Sequence, residues 1–562
     1  MAISIDTLVP AFRWLRTYQR SELKDDLVAG VTVAIMLVPQ GMAYAMLAGL
    51  PPVIGLYAST VPLVVYALFG SSRHLAVGPV AMVSLLVFVS CSRLAEPGSD
   101  HYIAIAVLLS LMVGAIQFLL GSLRLGFLEN FISHAVISGF TSAAAIVISL
   151  SQLKHILGIH VASGHSAFSL LSETVQRLGD TNPVSVGIGL SSIGLLLLLK
   201  RKYPLFPAPL LIVIGGTLLV YLWGLRDAGV QTVGKVPQGF PSLSLPEIRL
   251  SAVRHLVPTA LTILFVGYIE SIAVAELVAA RKKYTIDPDQ ELKGLGLANI
   301  VGSFFSCYPV TGGFSRTAVN YQAGARTALA SFVTAVIVLL TLLFLTPLFS
   351  FLPNAVLAAI IIVAVLGLID VEDARYLFRL KRANGWALVL TFLTTLAIGV
   401  EQGILIGVAF SLLLFIWRSS RPHVAELGFL GEEGVFHDIT RFPEEKTYPQ
   451  VLILRIDASL YFANMKFLED TIRRSIEDRP DLRWVVLDFS GVNDMDAVAV
   501  RTLEEMMDTY GERGITFTYA AMKGPVRDLV ARAGWTEKYE KNLIHASVQH
   551  VLRGIGVLKE NG

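Results

Sequence analysis

Charged residues are scarce in this chain, which argues against an ordinary soluble globular protein. Lys and Arg number 45 and Asp and Glu number 43, so that only 16% of the 562 residues are charged, whereas a soluble globular protein has roughly 25%. The net charge of +2 carries no information about partners, and we expect no nucleic-acid partner. The composition is typical of a chain that folds in lipid.

Cysteines and catalytic motifs are scarce as well. The two cysteines, Cys91 and Cys307, lie in or beside apolar segments, which is typical of packing residues rather than of disulfide or metal ligands. We find no metal-ligand spacing, phosphate-binding loop or nucleophile–base arrangement, and the glycine-containing stretches "SGVND" and "GLGLANIVGS" lack a dinucleotide-binding context. We therefore expect neither an enzyme nor a cofactor.

Apolar residues are abundant, at 54% of the chain, and occur in long runs such as "LLSLMVGAIQFLLG" and "WALVLTFLTTLAIGV". These runs are typical of membrane-spanning helices. From about Val424 the runs stop and charges become frequent, which predicts a soluble domain of roughly 130 residues after the membrane domain. The predicted organisation is a cytoplasmic lead at 1–24, a transmembrane domain at 25–420, a linker at 421–435 and a soluble domain at 436–562.

Hydropathy predicts fourteen membrane segments. They lie near 25–48, 52–70, 78–90, 102–121, 127–152, 181–200, 206–224, 255–279, 290–306, 314–325, 329–350, 352–369, 384–400 and 402–417. The basic clusters at Lys200–Lys202 and Arg281–Lys283 fall on the same predicted side as the basic N-terminal lead. The positive-inside rule therefore predicts that both termini are cytoplasmic, in a multi-pass protein of the cell (inner) membrane that is surrounded by lipid.

The two sets of seven segments resemble each other weakly. The third follows "SSRHLAVGPVAMVSLL" and the tenth follows "CYPVTGGFSRTAVN"; both are short and begin at a cluster of Gly and Pro. Because seven is odd, the second set must be inverted relative to the first. Short, interrupted segments at matching positions of inverted halves indicate a binding site at the midplane. The alternative is that apolar helices look alike by chance.

The pairs Gly78–Pro79 and Gly312–Gly313 are predicted to start two half-helices. A half-helix that begins inside the membrane leaves N–H groups unpaired, and its N-terminus carries roughly +0.5 of a charge, so that two such ends form a seat for an anion. Gly78 and Gly313 are candidate binding residues because glycine lets an anion approach the backbone, and Ser315 adds a hydroxyl donor. Arg316 either raises the local positive potential or pairs with a carboxylate and holds helices together.

Two further segments carry polar residues in apolar surroundings. Gln40 and Tyr44 follow Pro39 and are four residues apart, so they share one helical face; they line a pocket or bond between helices. Glu270 lies in the middle of the eighth segment and is a functional candidate because a carboxyl group inside the membrane is costly, with a salt bridge, for example to Arg316, as the alternative. A stripe of small residues on that segment predicts close helix packing; it consists of Gly267, Ser271 and Ala275.

Four stretches of the membrane domain resemble the SulP family of anion transporters, the sulfate-permease group. They are "VPQGMAYAMLAGLPPVIGLYAS", "FGSSRHLAVGPVAMVSLL", "DQELKGLGLANIVGSFF" and "GGFSRTAVN". The resemblance implies an α-helical polytopic fold of seven plus seven inverted segments, divided into a core and a gate domain, with the anion between the third and tenth segments. By position it implies a set of residues lining that site: Gln40, Tyr44, Val80, Ala81, Phe314 and Ser315, with Arg316 beside them.

The soluble tail resembles the STAS domain that follows the membrane domain in this family, a small α/β fold. "VLILRIDASLYFANMKFLEDTIRRSI" is interpreted as strand, strand and helix, the stretch from Trp484 as strand, loop and helix, and "ITFTYA" as a further strand. Related bacterial antagonists carry a phosphorylatable Ser where this chain has Ala497, so a phosphoswitch is not expected there. The resemblance implies that the STAS domain supports a homodimer.

The resemblance also implies a substrate and a driving ion. Sulfate is the expected anion, and Glu270 looks like the Glu of the proton-coupled members, which implies proton-coupled sulfate uptake by alternating access. The alternatives are a bicarbonate or C4-dicarboxylate transporter, coupled to protons or to sodium, and an anion receptor that signals through its tail without transport.

Overall fold

Two units divide the chain, Met1–Ser411 and Leu412–Gly562. The structure is a computed structural model, which describes residues 9–131, 133–159, 167–203, 206–430, 435–539 and 544–558. The first unit is helical apart from two very short strands, and the second is a mixed α/β unit.

Helices and strands are numbered from the N-terminus. Up to the end of the membrane segments they are α1 Ala11–Thr17, α2 Glu22–Leu47, α3 Pro52–Tyr57, α4 Val61–Phe69, β1 Val77–Gly78, α5 Ala81–Cys91, α6 Asp100–Ser122, α7 His134–Leu157, α8 Ala167–Gln176, α9 Pro183–Lys202, α10 Ala208–Trp223, α11 Leu250–Lys282, α12 Pro288–Ser303, β2 Thr311–Gly312, α13 Phe314–Gln322, α14 Leu329–Leu340, α15 Asn354–Leu366, α16 Val371–Leu380, α17 Arg382–Ala397 and α18 Val400–Ser419. Each of the fourteen predicted segments coincides with a helix or with consecutive helical stretches of this set. In the described ranges, nine helical spans are long and apolar enough to cross a membrane.

The third and tenth segments are half-length helices, as predicted. Helix α5 has 11 residues and α13 has 9, and at 1.5 Å per residue they are about 16 Å and about 14 Å long. A bilayer has a hydrocarbon core of about 30 Å, so each helix is long enough to cross roughly half of it.

Several helix ends follow from local sequence. Asp287 caps α12 by accepting hydrogen bonds from the amides of Asp289 and Gln290, and Pro288 occupies the first turn, where its missing N–H costs no hydrogen bond. Helix α7 ends at Gly158 in the left-handed conformation (φ +70°), which glycine adopts without steric strain. The weak internal resemblance has a structural counterpart, because a short 3₁₀ turn precedes both α7 and α15, at Gly126–Phe131 and Thr346–Phe351.

The membrane helices pack as two groups. The first, which we call the core group, consists of α2 to α6 and α11 to α14; the second, the gate group, consists of α7, α9, α10 and α15 to α18. Helix α18 is placed in the gate group by its glycines: a Cβ on Gly403 would clash with Thr395 of α17, and one on Gly407 would clash with Thr391 and with Val136 of α7. This division agrees with the core and gate domains that the resemblance implied.

The second unit is a sheet covered by helices. Its elements are β3 Val424–Leu430, β4 Val435–Asp438, β5 Val451–Ile456, α19 Phe462–Glu477, β6 Trp484–Asp488, α20 Ala497–Gly511, β7 Thr516–Ala520, α21 Gly524–Arg532, α22 Trp535–Lys538, β8 Ile544–His545 and α23 Val548–Gly554. The strand order is β4-β3-β5-β6-β7-β8, with β5 to β8 parallel and β3 antiparallel to both neighbours. Strands β5 and β6 are almost continuously apolar and buried, as parallel strands covered on both faces are.

Two features of the second unit differ from the sequence interpretation. The predicted second strand after β5 is wrong: Leu460 forms only an isolated bridge to Met495, and α19 already begins at Phe462. Strand β3 lies within the residues predicted as a linker, and Val424 to Glu426 pair with β5. The alternation of apolar and polar residues that marks a strand was hard to recognise there because β3 has a charged residue, Glu426, among its apolar ones. The exact domain boundaries stay predictions.

Candidate functional site

The segments that precede the two half-helices are joined by a two-residue antiparallel ladder. Val77 pairs with Gly312 and Gly78 pairs with Thr311. Two more bonds extend the connection: the Gly313 amide donates to the Ala76 carbonyl at 3.0 Å, and the Ala76 amide donates to the Thr317 hydroxyl at 3.0 Å. The ladder fixes the start of α5 relative to the start of α13.

The ladder corrects where the half-helices begin. The sequence placed the first start at Gly78–Pro79 and the second at Gly312–Gly313. Gly78 and Gly312 are in extended, paired backbone instead, and α5 begins at Ala81 after the extended residue Val80, while α13 begins at Phe314 after Gly313. The reason is that the backbone groups of these residues are satisfied by cross-pairing between the two inverted halves, which a single segment of sequence does not reveal.

The N-termini of both half-helices keep unpaired amide groups. The first amides of any α-helix have no partner within the helix, and neither N-cap residue, Val80 or Gly313, supplies a side-chain hydrogen bond to them. The amides at Ala81 and Ser315 therefore remain available at the positive ends of the two helix dipoles, while the amide of Phe314 interacts with the Glu270 carboxylate. Two such ends, brought together by the ladder, favour negative charge between them.

Strand β2 is held by two small residues of α11, Gly267 and Ser271. The Thr311 hydroxyl donates to the Gly267 carbonyl at 2.6 Å, and the Gly312 amide donates to the Ser271 hydroxyl at 2.8 Å. A Cβ on Gly267 would lie 2.9 Å from the Thr311 hydroxyl oxygen. The small residues predicted to pack against another helix thus accommodate a strand at Gly267 and Ser271.

Asn299 is a positioning residue that sequence reasoning missed. Its side chain binds the Val310 peptide on both sides: Oδ1 accepts from the Val310 amide at 2.8 Å, and Nδ2 donates to the Val310 carbonyl at 3.0 Å. Asn299 is fully buried, so these bonds fix the backbone just before β2. The only sequence signal is an Asn within the apolar stretch "GLGLANIVGS".

Arg316 is buried at the junction of the two half-helices. Its side chain is 1% exposed, and Nη1 donates to the carbonyl oxygen of Pro79 at 2.7 Å. Nε and Nη2 are buried with no hydrogen-bond partner among the described residues. The carboxylate partner considered in the sequence analysis is not what the guanidinium contacts; it donates instead to a backbone carbonyl of the opposite half.

Gly313 and Gly78 both lie near this guanidinium. A Cβ on Gly313 would lie 2.6 Å from Nη2 and 2.7 Å from Cζ of Arg316, whereas a Cβ on Gly78 would lie 3.5 Å from Nη2, an ordinary van der Waals distance. The glycine at 313 is therefore needed for the guanidinium to occupy its position, and the one at 78 is not.

A cavity of about 390 Å³ lies at the half-helix N-termini. Nine of the ten predicted site residues line it: Gln40, Tyr44, Val80, Ala81, Glu270, Gly313, Phe314, Ser315 and Arg316. Gly78 does not line it and lies behind the Arg316 guanidinium. The volume is many times the roughly 30 Å³ that one water occupies in the liquid, so a small anion with some of its hydration fits.

The gate group supplies the opposite wall of the cavity. It contributes apolar side chains, among them Leu196 of α9 and Ile360 and Val363 of α15, and the lining continues to Lys200 and Gly367 at the ends of those helices. Sequence reasoning missed this wall because apolar residues in an apolar helix carry no signal. Lys200 belongs to a predicted cytoplasmic basic cluster, so the lining reaches that side of the membrane.

Gln40, Tyr44 and Glu270 complete the polar lining. Gln40 and Tyr44 are both buried, and Gln40 Oε1 has no partner within the described ranges. The Glu270 carboxylate interacts with the backbone amide of Phe314, the first residue of α13. In the described part of the chain, no three His, Cys, Asp or Glu side chains converge as metal ligands would.

This arrangement defines a class: a multi-pass helical membrane protein with two inverted sets of segments and a polar cavity between half-helix N-termini. Residues 23–391 match the model of the sulfate permease family, and residues 442–550 match that of the STAS domain. The chain belongs to the sulfate permease family and carries a C-terminal STAS domain. The resemblance inferred from the sequence is confirmed.

Similar proteins are known from plants and animals. Sulfate transporter 4.1, chloroplastic, of Arabidopsis thaliana is 41% identical over 574 residues, which cover 98% of this chain and 83% of the relative. Sulfate transporter 1.1 of the same plant is 36% identical over 575 residues, covering 96% and 87%. The solved structure of the murine anion transporter Slc26a9 in the inward-facing state superimposes with a TM-score of 0.91 at 26% identity, covering 99% of this chain and 95% of that one.

Proposed function

We propose that this protein is a secondary active transporter that carries sulfate, or a similar small inorganic anion, by alternating access. The observation that carries the proposal is the pairing of two half-helix N-termini with a buried guanidinium that keeps two donor nitrogens without partners among the described residues. Such a site is complementary to a compact anion with several acceptor oxygens. The sulfate transporters among its relatives support sulfate as the substrate.

In this proposal the anion is bound mainly by backbone amides and by Arg316. The amides at Val80 and Ala81 of one half and at Phe314 and Ser315 of the other donate from opposite sides, and glycine at 313 leaves room for the Arg316 guanidinium beside them. The Ser315 hydroxyl adds a donor. The remaining wall is formed by Gln40 and Tyr44, whose amide and phenol groups orient the anion or its water.

Charge balance supports proton coupling. Moving one charge against 100 mV takes about 2.3 kcal/mol, so a dianion entering a negative-inside cell faces about 4.6 kcal/mol, equivalent to roughly three decades of concentration. We assign the coupling proton to Glu270, which lines the cavity and interacts with the Phe314 amide. As a carboxylate, Glu270 competes with the substrate for the positive end of α13; when protonated, it removes that negative charge and favours binding of the anion.

We further propose that the protein resides in the cell (inner) membrane with both termini in the cytoplasm, as a homodimer to which the STAS domain contributes. The basic clusters beside α9 and α11 support the orientation. With this orientation, the cavity lining that reaches Lys200 extends toward the cytoplasm.

Reconstituted flux tests the proposal. Proteoliposomes are loaded with buffer, labelled sulfate is added outside, and uptake is measured with an imposed pH gradient, an imposed sodium gradient or neither. Uptake stimulated by acid outside supports the proposal, and stimulation by sodium instead would replace the coupling ion. Unlabelled sulfate, bicarbonate and fumarate are then compared as competitors. If bicarbonate or fumarate inhibits the uptake of labelled sulfate at a lower concentration than unlabelled sulfate does, that anion is the substrate. Purified protein that binds anions but moves none would be a receptor.

A further inference from the structure

A second buried polar cluster lies between the core and gate groups, away from the cavity. It consists of Ser90 of α5, Arg93 just after α5, Thr259 of α11 and Glu401 of α18, and we name it the outer cluster. The Glu401 side chain is 8% exposed and that of Arg93 is 42% exposed, while Ser90 and Thr259 are buried. The first three residues belong to the core group and Glu401 belongs to the gate group.

The cluster is a continuous set of hydrogen bonds that ends on Glu401. Arg93 Nη1 lies 3.3 Å from Glu401 Oε2, and the Thr259 hydroxyl donates to Glu401 Oε1 at 3.0 Å. Ser90 Oγ lies 2.8 Å from the Thr259 oxygen; since the Thr259 proton goes to Glu401, Ser90 donates to Thr259. Both carboxylate oxygens of a gate residue are therefore satisfied by the core.

The outer cluster is on the membrane side opposite to the basic loops. Thr259 is near the beginning of α11, and Lys282, in the basic cluster, is at its end; the two are 23 positions apart, which corresponds to about 34 Å of helix. Nearby, Lys154 of α7 in the gate group lies over the Phe88 ring of α5 at 6.0 Å. The two groups are thus held together on this side, while the cavity lining extends toward the other.

Helix α5 connects the outer cluster to the anion site. Its N-terminus at Ala81 faces the cavity, and Ser90 and Arg93 lie at its opposite end, about 16 Å away along the axis. A rigid half-helix that moves with the bound anion has to move both ends. Motion that opens the outer side therefore breaks the bonds to Glu401.

We propose that Glu401, held by Arg93 and Thr259, is an outer latch that stabilises the state in which the cavity opens toward the basic side. The latch has to be released before the cavity opens on the other side. This inference rests on the proposed transport by alternating access, and it assigns the control of that equilibrium to residues outside the anion site. Glu401 is itself buried, so a movement that leaves its carboxylate without the Thr259 and Arg93 donors is unfavourable.

Amide hydrogen exchange measured by mass spectrometry, on the full chain in lipid nanodiscs, tests the latch. Glu401→Gln removes the charge, and losing about 1.4 kcal/mol of the charge-assisted bonds would increase the population of the outward-open state about tenfold. We expect exchange about tenfold faster at the outer ends of both α5 and α7. Glu247→Gln is the matched control, because the Glu247–Arg249 pair is exposed and both partners lie just before α11.

Two further variants keep the test decisive. Thr259→Val removes only the hydroxyl donor and should raise exchange at the same two helix ends, which covers the case that Glu401→Gln does not fold. The charge swap, Arg93→Glu with Glu401→Arg, should restore slow exchange. Exchange that is unchanged, or faster only in the first turn of α18, would overturn the latch. Because exchange requires no flux, a protein that moves no sulfate but shows the predicted pattern would retain the latch and lose the transport proposal.

Discussion

Gly313→Ala is the substitution whose effect the structure predicts most specifically. The added Cβ would lie 2.6 Å from Arg316 Nη2 and 2.7 Å from Cζ. To reach ordinary contact at 3.4 Å the guanidinium has to move about 0.8 Å. That movement lengthens or breaks the 2.7 Å bond from Nη1 to Pro79 and displaces Nε and Nη2, which have no partner among the described residues.

The magnitude follows from the bonds that are lost. A hydrogen bond to a charged group contributes about 1.5–3 kcal/mol, and 1.4 kcal/mol corresponds to a factor of ten. We therefore expect the apparent sulfate affinity to fall by about one to two orders of magnitude, measured as the half-saturating concentration for uptake into proteoliposomes. Since the clash is with the end of a flexible side chain, the thermal unfolding midpoint should change little.

Gly78→Ala is the control for that experiment. It adds the same methyl group beside the same guanidinium, but at 3.5 Å from Nη2, so the sulfate affinity should stay within about twofold of the parent. Equal effects of the two substitutions, or a wild-type affinity for Gly313→Ala in a protein with unchanged stability, would refute the assignment of Arg316 to the anion site.

Three other substitutions test separate parts of the account. Glu270→Gln should abolish the stimulation of sulfate uptake by acid outside, because the Gln side chain stays neutral at every pH. Glu276→Gln, on the exposed face of the same helix, should retain that stimulation. Retention of the stimulation in both variants would exclude Glu270 as the coupling residue. Arg316→Lys keeps the charge but loses the planar fork of donors, so we expect sulfate affinity at least about tenfold lower; equal affinity would mean that charge alone suffices. Thr317→Val removes the acceptor of the Ala76 amide and should lower the free energy of unfolding by about 1–3 kcal/mol. The unfolding temperature should therefore fall, and Thr317→Ser should restore it. A Thr317→Val protein of unchanged stability would show that this bond does not secure the ladder.

Much of the membrane fold could be predicted from the sequence because lipid imposes long apolar runs, which are easy to locate. The half-length helices α5 and α13 were also predictable, since Gly and Pro interrupt otherwise apolar segments there. Gln40 and Glu270 on the core side of the cavity could be predicted because polar groups are conspicuous in a membrane helix, whereas the apolar Val80, Ala81 and Phe314 came only from the family resemblance.

What the sequence did not reveal depends on contacts between distant segments. The ladder between β1 and β2 joins residues more than 200 positions apart. Because Gly78 is paired in this ladder, α5 begins at Ala81 and not at Gly78–Pro79 as predicted. The apolar gate-group residues that line the cavity, and the hydrogen bonds from Asn299 to Val310, have no recognisable pattern in the local sequence. In the second unit, an apparent strand after β5 was only the approach to α19.

A structure determined with bound selenate tests the central claim most directly, because selenium locates this sulfate analogue by its anomalous scattering. We predict one peak between the N-termini of α5 and α13, with selenate oxygens within about 2.7–3.2 Å of the amides near Ala81 and Ser315 and of the free nitrogens of Arg316. A peak elsewhere, for example only beside Lys200, with none between the two half-helices, would contradict the account.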